Sequence, residues 1–127
     1  MQEQQLFEYA VIRIVPHVER EEFLNVGVVL YCSKMKFLQM KFLLDTNRLA
    51  VFCKSTDMQE LEKYLLAFER ICKGGADSGE IGKLPISERF RWLTATRSTV
   101  VQTSKVHPGF CDDAGDRLDL LFDQLVG

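Results

Sequence analysis

Apolar and β-branched residues dominate three stretches in the first third of the chain, and each stretch ends in polar or turn-forming residues. Residues 6–15 predict a first strand, which Pro16 ends because proline has no backbone N–H for a sheet ladder. Residues 26–32 are almost entirely apolar, which is typical of a central strand covered on both faces. Residues 36–44 predict a third strand. The three together predict an antiparallel meander.

Helical spacing of the apolar positions replaces the strand pattern after the third strand. Asp45 is predicted to cap a short helix through Phe52, and Thr56 to begin a longer helix. The longer helix has one apolar stripe, formed by Met58, Leu61, Leu65, Phe68 and Cys72. Two glycines end this helix, and residues 74–82 are predicted to form a flexible loop.

A second short helix and a fourth strand are predicted beyond that loop. Ser87 is a candidate N-cap for a helix that runs to about Ala95. Residues 99–106 are rich in the β-branched residues Thr and Val and predict a strand. The dipeptide Pro108-Gly109 is a turn signal, so we expect the strand to end before it.

The last apolar stripe predicts a C-terminal helix that starts after Asp112 or Asp113 and reaches Val126. The order is three strands, helices, a strand and a helix, which is typical of an α+β fold. We therefore expect one α+β domain over residues 1–127. Its antiparallel sheet would have about four strands, with the helices packed on one face.

Charge is spread unevenly, although the formal net charge is only −2. That balance argues against a dedicated duplex-DNA binder, which usually carries a basic footprint. Residues 83–107 carry five cations and one acid, whereas residues 1–30 and residues 112–127 are acidic. Such a basic band either attracts an anion or is neutralised inside the fold, and the charge pattern alone decides neither.

The cysteines indicate a reducing compartment. None of Cys32, Cys53, Cys72 and Cys111 stands at the spacing of a zinc site, and the apolar settings of Cys32 and Cys53 suggest buried free thiols. The N-terminus lacks the basic start and apolar core of a signal peptide, and no apolar run approaches the ~20 residues that span a bilayer. We expect a cytoplasmic protein without membrane association. Nucleotide-loop and metalloprotease motifs are absent, so no cofactor is predicted.

Residues 89–109 are the best candidate for a binding site, because they gather the only Trp, four cations and one of the two His. Arg91, Arg97 and His107 are proposed to hold an anion, since the planar guanidinium grips carboxylate or phosphate groups with two hydrogen bonds. The alternative is that both arginines pair with acids elsewhere in the fold. We expect Trp92 to belong to the core, as a lone Trp usually does. The alternative is that a base or sugar stacks on its ring.

Catalytic interpretations are weaker. His17 and His107 stand next to or near prolines, and neither has an adjacent nucleophile or carboxylate in an activating motif. An enzyme with His107 as base beside Ser98 or Ser104 is the least favoured hypothesis. Glu19, Glu21 and Glu22 are expected to form a solvated loop, so no metal site is predicted.

Three segments resemble the bacterial family of unknown function DUF3037. They are YAVIRIVPHVEREEFLNVGVVLYC, RFRWLTATRSTVVQTSKVHPGFCDD and LDLLFDQLV. The resemblance places the family's motif residues on Arg13, Pro16, Asn25, Gly27, Arg91, Trp92, Arg97, Ser98, Gln102 and His107. It thereby adds Ser98 and Gln102 to the candidate anion site, and Arg13 and Asn25 as further candidates. Thr96 stands where many relatives are expected to have Pro, which changes the turn before Arg97 and leaves the cations in place.

The resemblance implies a small bacterial cytoplasmic protein with no established activity. Members of the family are encoded beside kinase-like proteins of the HipA type, which suggests an accessory role with a protein partner. The leading hypothesis is therefore a non-enzymatic accessory protein that acts through a protein partner. It would also hold an anion with Arg91, Arg97 and His107, in the segment 89–109 that we call the basic block. The alternative is a small nucleic-acid- or nucleotide-binding module that uses Trp92.

Overall fold

The computed structural model describes residues 4–16, 22–52, 57–97 and 99–126. Its strands are β1 (Gln5–Ile14), β2 (Leu24–Cys32), β3 (Phe37–Phe42), β4 (Val101–Thr103) and β5 (His107–Cys111). Its helices are α1 (Thr46–Phe52), α2 (Met58–Lys73), α3 (Gly79–Gly82), α4 (Ile86–Leu93) and α5 (Ala114–Leu125). A 3-10 turn over Ala76–Ser78 precedes α3. The expected α+β class and the meander of the first three strands are confirmed.

β1 is the central strand of an antiparallel sheet ordered β3-β2-β1-β4. β2 pairs with one edge of β1 along residues 8–14. β4 and β5 divide the other edge, because β4 pairs with residues 12–14 and β5 with residues 5–9. The sheet therefore has five strands rather than about four. The extra strand arises because the ten residues of β1 are long enough for two short partners.

A bulge interrupts the pairing of β1 with β2 between Ile12 and Arg13, where Val26 is the additional residue. Gly27 follows it and lets β3 approach closely. A Cβ at Gly27 would lie 2.7 Å from the carbonyl oxygen of Lys41 and 2.9 Å from the Cβ of Phe42. A glycine inside a strand indicates a bulge or a close approach of another backbone, and both are present at Gly27.

Two apolar cores lie on opposite faces of the sheet, which corrects the expectation that all helices pack on one face. Residues such as Ile12, Ile14 and Val29 contact the side of α2 and α4. Val28 and Leu30 alternate with them and pack under α5. The physical reason is that β2 is apolar at consecutive positions, so both of its faces need cover.

The predicted strand over residues 99–106 is shorter than expected, because Ser104 replaces a ladder bond with its side chain. Its backbone N–H donates to Val11 O at 2.8 Å, and its Oγ accepts from Val11 N–H at 2.8 Å. The same Oγ donates to Lys105 O at 2.9 Å. The strand pairing stops there, and β5 begins three residues later.

The turn predicted at Pro108-Gly109 is wrong, since both residues lie inside β5. β5 pairs with β1 alone, and an edge strand tolerates a proline that lacks an N–H. Gly109 is required by the ring of Phe7, because a Cβ there would lie 2.6 Å from the Phe7 Cζ. A tertiary contact therefore overrides the local turn signal.

Three of the helices, α1, α2 and α5, begin directly after an aspartate that caps them. Asp45 accepts hydrogen bonds from the N–H groups of the first turn of α1, as expected, and Asp113 is the N-cap of α5. Asp57 caps α2, while Thr56 lies outside the described residues. Ser87 is not an N-cap, because α4 already begins at Ile86. Pro85 stands at the N-cap position and makes no side-chain hydrogen bond to the helix.

The segment after α2 is more regular than the flexible loop that was expected. Gly74, with φ 72°, ends α2 and its N–H donates to Arg70 O. The chain then forms the 3-10 turn and the four-residue α3 before α4 begins. These turns position the start of α4 against the end of α2, where the basic block begins.

Candidate functional site

Arg97 is held by the end of α4 and not presented as a free cation. Its Nη1 donates to Leu93 O at 3.0 Å and its Nη2 to Trp92 O at 2.6 Å. Its guanidinium also lies 4.7 Å from the centroid of the Trp92 ring and 5.2 Å from that of Phe68. A cation at a helix C-terminus satisfies carbonyls that lack helical partners. Much of the hydrogen-bonding capacity of Arg97 is thus used inside the protein.

Arg89 does the same for α2. Its Nε donates to Leu84 O at 3.0 Å, and its Nη1 donates to Ile71 O at 2.9 Å and to Cys72 O at 2.8 Å. The side chain therefore joins the C-terminal turn of α2 to the segment before α4. Neither of the two interpretations of the basic band foresaw this, because Arg89 and Arg97 donate to uncharged backbone carbonyls and not to acids.

Arg91 and Trp92 occupy the exposed side of α4. Within the described ranges, the Arg91 side chain has no hydrogen bond or ion pair, so it is available to a ligand. Trp92 is 36% exposed and meets the Phe68 ring edge-on with 6.0 Å between centroids. The expectation that Trp92 belongs to the core is wrong, because more than a third of the residue is exposed even though Phe68 and the Arg97 guanidinium both contact its ring.

His107 lies on β5, away from the contacts of α4. It pairs with Tyr9 across the strands, and the two rings are 5.4 Å apart. No hydrogen bond or ring contact joins it to Arg91 or Arg97 in the described part of the chain. Ser98 lies outside the described residues, as do His17, Glu19, Glu21 and Cys53.

Three residues singled out by the family resemblance lie in one row across the sheet. Arg13 of β1 stands between Asn25 of β2 and Gln102 of β4. The Asn25 Nδ2 donates to Leu125 O at the end of α5, at 3.2 Å. The Arg13 guanidinium lies 4.0 Å from the centroid of the Phe23 ring. Through Asn25, the row joins the start of β2 to the end of α5.

Two polar atoms in this row have no partner. The Arg13 Nε and the Asn25 Oδ1 are both buried without a hydrogen bond. Gln102 is satisfied locally, because its Nε2 donates to Thr99 O at 2.9 Å. A donor and an acceptor on neighbouring strands are the arrangement that one bridging water satisfies.

A groove of about 550 Å³ lies between the first half of α2 and the segment that enters β4. We call it the α2 groove; it is lined by Asp57, Glu60, Leu61, Lys63, Tyr64, Thr99, Val100 and Val101. Its walls are mainly apolar. Two of the lining side chains are exposed to solvent, Tyr64 by 38% and Val100 by 40%.

An aromatic row continues from the α2 groove towards α4, with a buried ring, Phe68, between two partly exposed ones. It consists of Tyr64, Phe68 and Trp92, with centroid separations of 5.2 Å and 6.0 Å. Arg97 stacks on its far end. Sequence reasoning missed this surface because it read α2 only for its buried stripe. The i, i+4 spacing of Tyr64 and Phe68 is the signal that was available.

The profile of the family described as "Protein of unknown function (DUF3037)" matches residues 9–126 of the 127-residue chain. The chain belongs to the DUF3037 family. No curated protein and no solved structure matches it. The DUF3037 match covers both the α2 groove and the row from Asn25 to Gln102.

The thiols of this DUF3037 protein are poor candidates for nucleophilic chemistry. Cys32, Cys72 and Cys111 are free and buried. Burial raises the pKa of Cys72 to about 12, although the nearby Arg89 charge opposes the shift. Burial also raises the pKa of Cys111, with a further contribution from Cys32. Since the thiolate is the nucleophile, Cys72 and Cys111 remain unreactive at neutral pH.

Metal-binding clusters and membrane-spanning helices are both absent from the described ranges. No group of three or more His, Cys, Asp or Glu side chains is placed to hold a metal ion there. None of the helices in those ranges combines the length and the apolar character needed to cross a bilayer.

Proposed function

We propose that this DUF3037 protein is a bacterial cytoplasmic accessory protein, without catalytic activity, that binds a protein partner through the α2 groove and the aromatic row. The observation that carries the proposal is a pair of partly exposed rings, Tyr64 and Trp92, which flank the buried Phe68 beside an apolar groove. Trp, Tyr and Arg are the residues most enriched at the energetic centres of protein interfaces. Three buried free thiols also fit a reducing compartment.

The surface is rigid before a partner arrives, which lowers the cost of binding. Arg97 is fixed by two carbonyls of α4 and by two aromatic rings. Tyr64 and Phe68 stand one turn apart on the long helix α2. Pre-organised side chains lose less conformational entropy on association, so more of the contact energy is expressed as affinity.

Charges around the groove indicate the chemistry of the partner. Asp57 and Glu60 lie where α2 begins, and Arg97 stands at the opposite end of the aromatic row. Arg91 adds an exposed cation on α4. A complementary partner segment presents apolar side chains between a basic end, which faces Asp57, and an acidic end, which faces Arg97. The anion expected for the basic block is then a carboxylate of the partner.

Matched substitutions on one helix test the proposal. Tyr64→Lys places a charge in the groove, whereas Leu66→Lys changes a residue of similar exposure, 36%, that does not line it. Tagged wild-type protein and both variants are used to capture partners from the native bacterium. A HipA-type kinase-like protein is the partner class that the family resemblance suggests.

The expected result is a stoichiometric partner that is captured by wild type and Leu66→Lys and lost with Tyr64→Lys. Calorimetric titration of the purified pair then measures the loss, which we expect to be at least about 30-fold for a central interface residue. Equal capture by Tyr64→Lys and wild type would refute the assignment of the surface.

A nucleic-acid-binding function is the second candidate, because Tyr64 and Trp92 are exposed rings on which bases stack. The acids Asp57 and Glu60 outnumber the single lysine, Lys63, among the groove's lining residues and disfavour phosphates, which places this function second. Titration with a single-stranded oligonucleotide at low and high salt decides it. Binding that weakens as salt rises supports the candidate, and no binding at low salt removes it.

A further inference from the structure

A second cavity, of about 490 Å³, lies on the other side of α2 and shares no lining residue with the α2 groove. We call it the β3 cavity. It is bounded by β3 and the turn before it, by the last turns of α2 and by the start of α4. Its size is within the range of small-molecule sites, roughly 300–1,000 Å³.

The floor of the β3 cavity is apolar. Leu38 and Met40 are buried residues of β3 that face α2, and Ile86 adds an apolar wall from the start of α4. Cys72 lines the same floor with a protonated thiol, since its pKa is raised to about 12. These groups offer no hydrogen bond to a charged ligand and favour a hydrocarbon body.

The rim of the β3 cavity is cationic. Lys36, Lys73 and Arg89 line it against the single carboxylate of Glu69. Glu69 is already engaged, because its Oε1 lies 3.8 Å from the Lys73 Nζ. The cavity therefore has an excess of positive charge, which a neutral or cationic ligand would leave without a partner.

Arg89 presents a fixed donor to this cavity. Its Nε and Nη1 are occupied by three backbone carbonyls, which hold the guanidinium in one orientation. Among the described residues, Nη2 has no hydrogen-bond partner, so two N–H groups of a cation are available. A rigid pair of N–H donors suits a carboxylate oxygen.

Lys36 is a second cation that lines the β3 cavity, and its backbone has an unusual conformation, with φ 49°. This left-handed conformation is uncommon for residues other than glycine and costs free energy. It closes the turn between β2 and β3, where the Lys36 N–H donates to Ser33 O at 3.1 Å. Glycine is the unstrained residue at such a position, yet the chain has a lysine at the edge of the cavity.

We propose that the β3 cavity binds a small organic carboxylate with an apolar body. The carboxylate lies between the Arg89 Nη2 and the Lys36 ammonium, and the hydrocarbon part covers Leu38, Met40 and Ile86. The proposal is independent of the proposed function, because the α2 groove and the β3 cavity have no residue in common.

Octanoate is the probe, with octanol as the uncharged control and acetate as the control without an apolar body. Each is titrated into the ¹⁵N-labelled full chain, and amide shifts are followed by NMR. We expect octanoate to shift amides of β3 and of the last turn of α2 saturably, and to bind at least about threefold more tightly than either control.

Two glycine substitutions in the turn between β2 and β3 separate the effect of the Lys36 charge on octanoate binding from the effect of a neighbouring lysine. Lys36→Gly removes the cation and suits the observed φ, so it folds at least as well as wild type. Lys34→Gly removes a neighbouring exposed cation that does not line the cavity. We expect Lys36→Gly to weaken octanoate binding about threefold or more and Lys34→Gly to leave it unchanged.

Three results would overturn the proposal: no saturable shifts around the cavity with octanoate, equal affinity for octanol, or equal octanoate affinity in Lys36→Gly and wild type. Tyr64→Lys serves as the cross-check, since it is expected to bind octanoate normally. Failure of the partner capture and failure of octanoate binding are therefore distinguishable.

Discussion

Removing the guanidinium of Arg89 while keeping a side chain of similar length tests how α2 and α4 are held together. Arg89→Met deletes the donors to Ile71 O, Cys72 O and Leu84 O. A hydrogen bond to a charged group contributes about 1.5–3 kcal/mol. Arg89 is only partly buried, so water reaches some of the freed carbonyls and the three bonds do not add in full. We expect the free energy of unfolding to fall by about 2–4 kcal/mol.

The measurement is urea denaturation followed by circular dichroism. A domain of this kind has a total stability of roughly 5–15 kcal/mol, so Arg89→Met should still fold. Arg91→Met is the matched control, because it makes the same chemical change two residues away on the exposed face of α4. Its expected cost is below about 0.5 kcal/mol.

Arg89→Lys adds a second comparison. The ammonium group is a single donor centre and cannot reach both the end of α2 and the segment before α4, so it should recover less than half of the loss. The reasoning is refuted if Arg89→Met and Arg91→Met have the same midpoint and slope. That result would mean that the three carbonyls are equally well satisfied by water.

Three further changes are predicted. Gly109→Ala should lower the free energy of unfolding by about 1–3 kcal/mol in urea titration, because the new Cβ would lie 2.6 Å from the Phe7 Cζ. Asp113→Ala should lower the same free energy by about 1 kcal/mol, and Asp112→Ala by much less, because only Asp113 accepts from the first turn of α5. Burial raises the pKa of Cys72 from 9.0 to about 12, so the unfolded thiol ionises first as pH rises. Wild type should therefore lose about 1.4 kcal/mol more than Cys72→Ala between about pH 8 and pH 10, measured by urea titration at both values.

Each of these has a clear contradictory result. A Gly109→Ala protein as stable as wild type would show that the Phe7 ring moves aside at no cost. Equal effects at positions 112 and 113 would show that the choice of N-cap does not matter. Parallel stability curves for wild type and Cys72→Ala would show that the thiol titrates alike in the folded and unfolded chains.

Local sequence signals predicted the parts of the fold that depend on local interactions. The meander and the caps Asp45 and Asp113 are set within a few residues, so apolar spacing and capping chemistry identify them. β5 escaped prediction because the turn signal of Pro108-Gly109 is overridden by a ring about a hundred residues earlier in the chain. Periodicity does not contain that contact.

The binding residues were harder to predict for a related reason. The basic block was recognised as unusual, but the sequence does not show that Arg89 and Arg97 are occupied by carbonyls of α2 and α4. The α2 groove depends on how a helix meets a distant strand, which no local pattern encodes. The anion site at Arg91, Arg97 and His107 remains a prediction. Two N–H groups of Arg97 already donate to backbone carbonyls, so fewer of its donors are available to an anion.

The division of one β1 edge between β4 and β5 has a consequence for how the chain is made. Ser104 bonds to Val11 across 93 positions, so the partners of that edge leave the ribosome long after β1 itself. Until residues 101–111 emerge, β1 exposes unpaired N–H and C=O groups while β2 and β3 can already pair with its neighbouring edge. Such long-range closure slows folding and leaves the nascent chain open to strand addition from other chains. Chaperone dependence during synthesis should therefore end only when the last quarter of the protein has been translated.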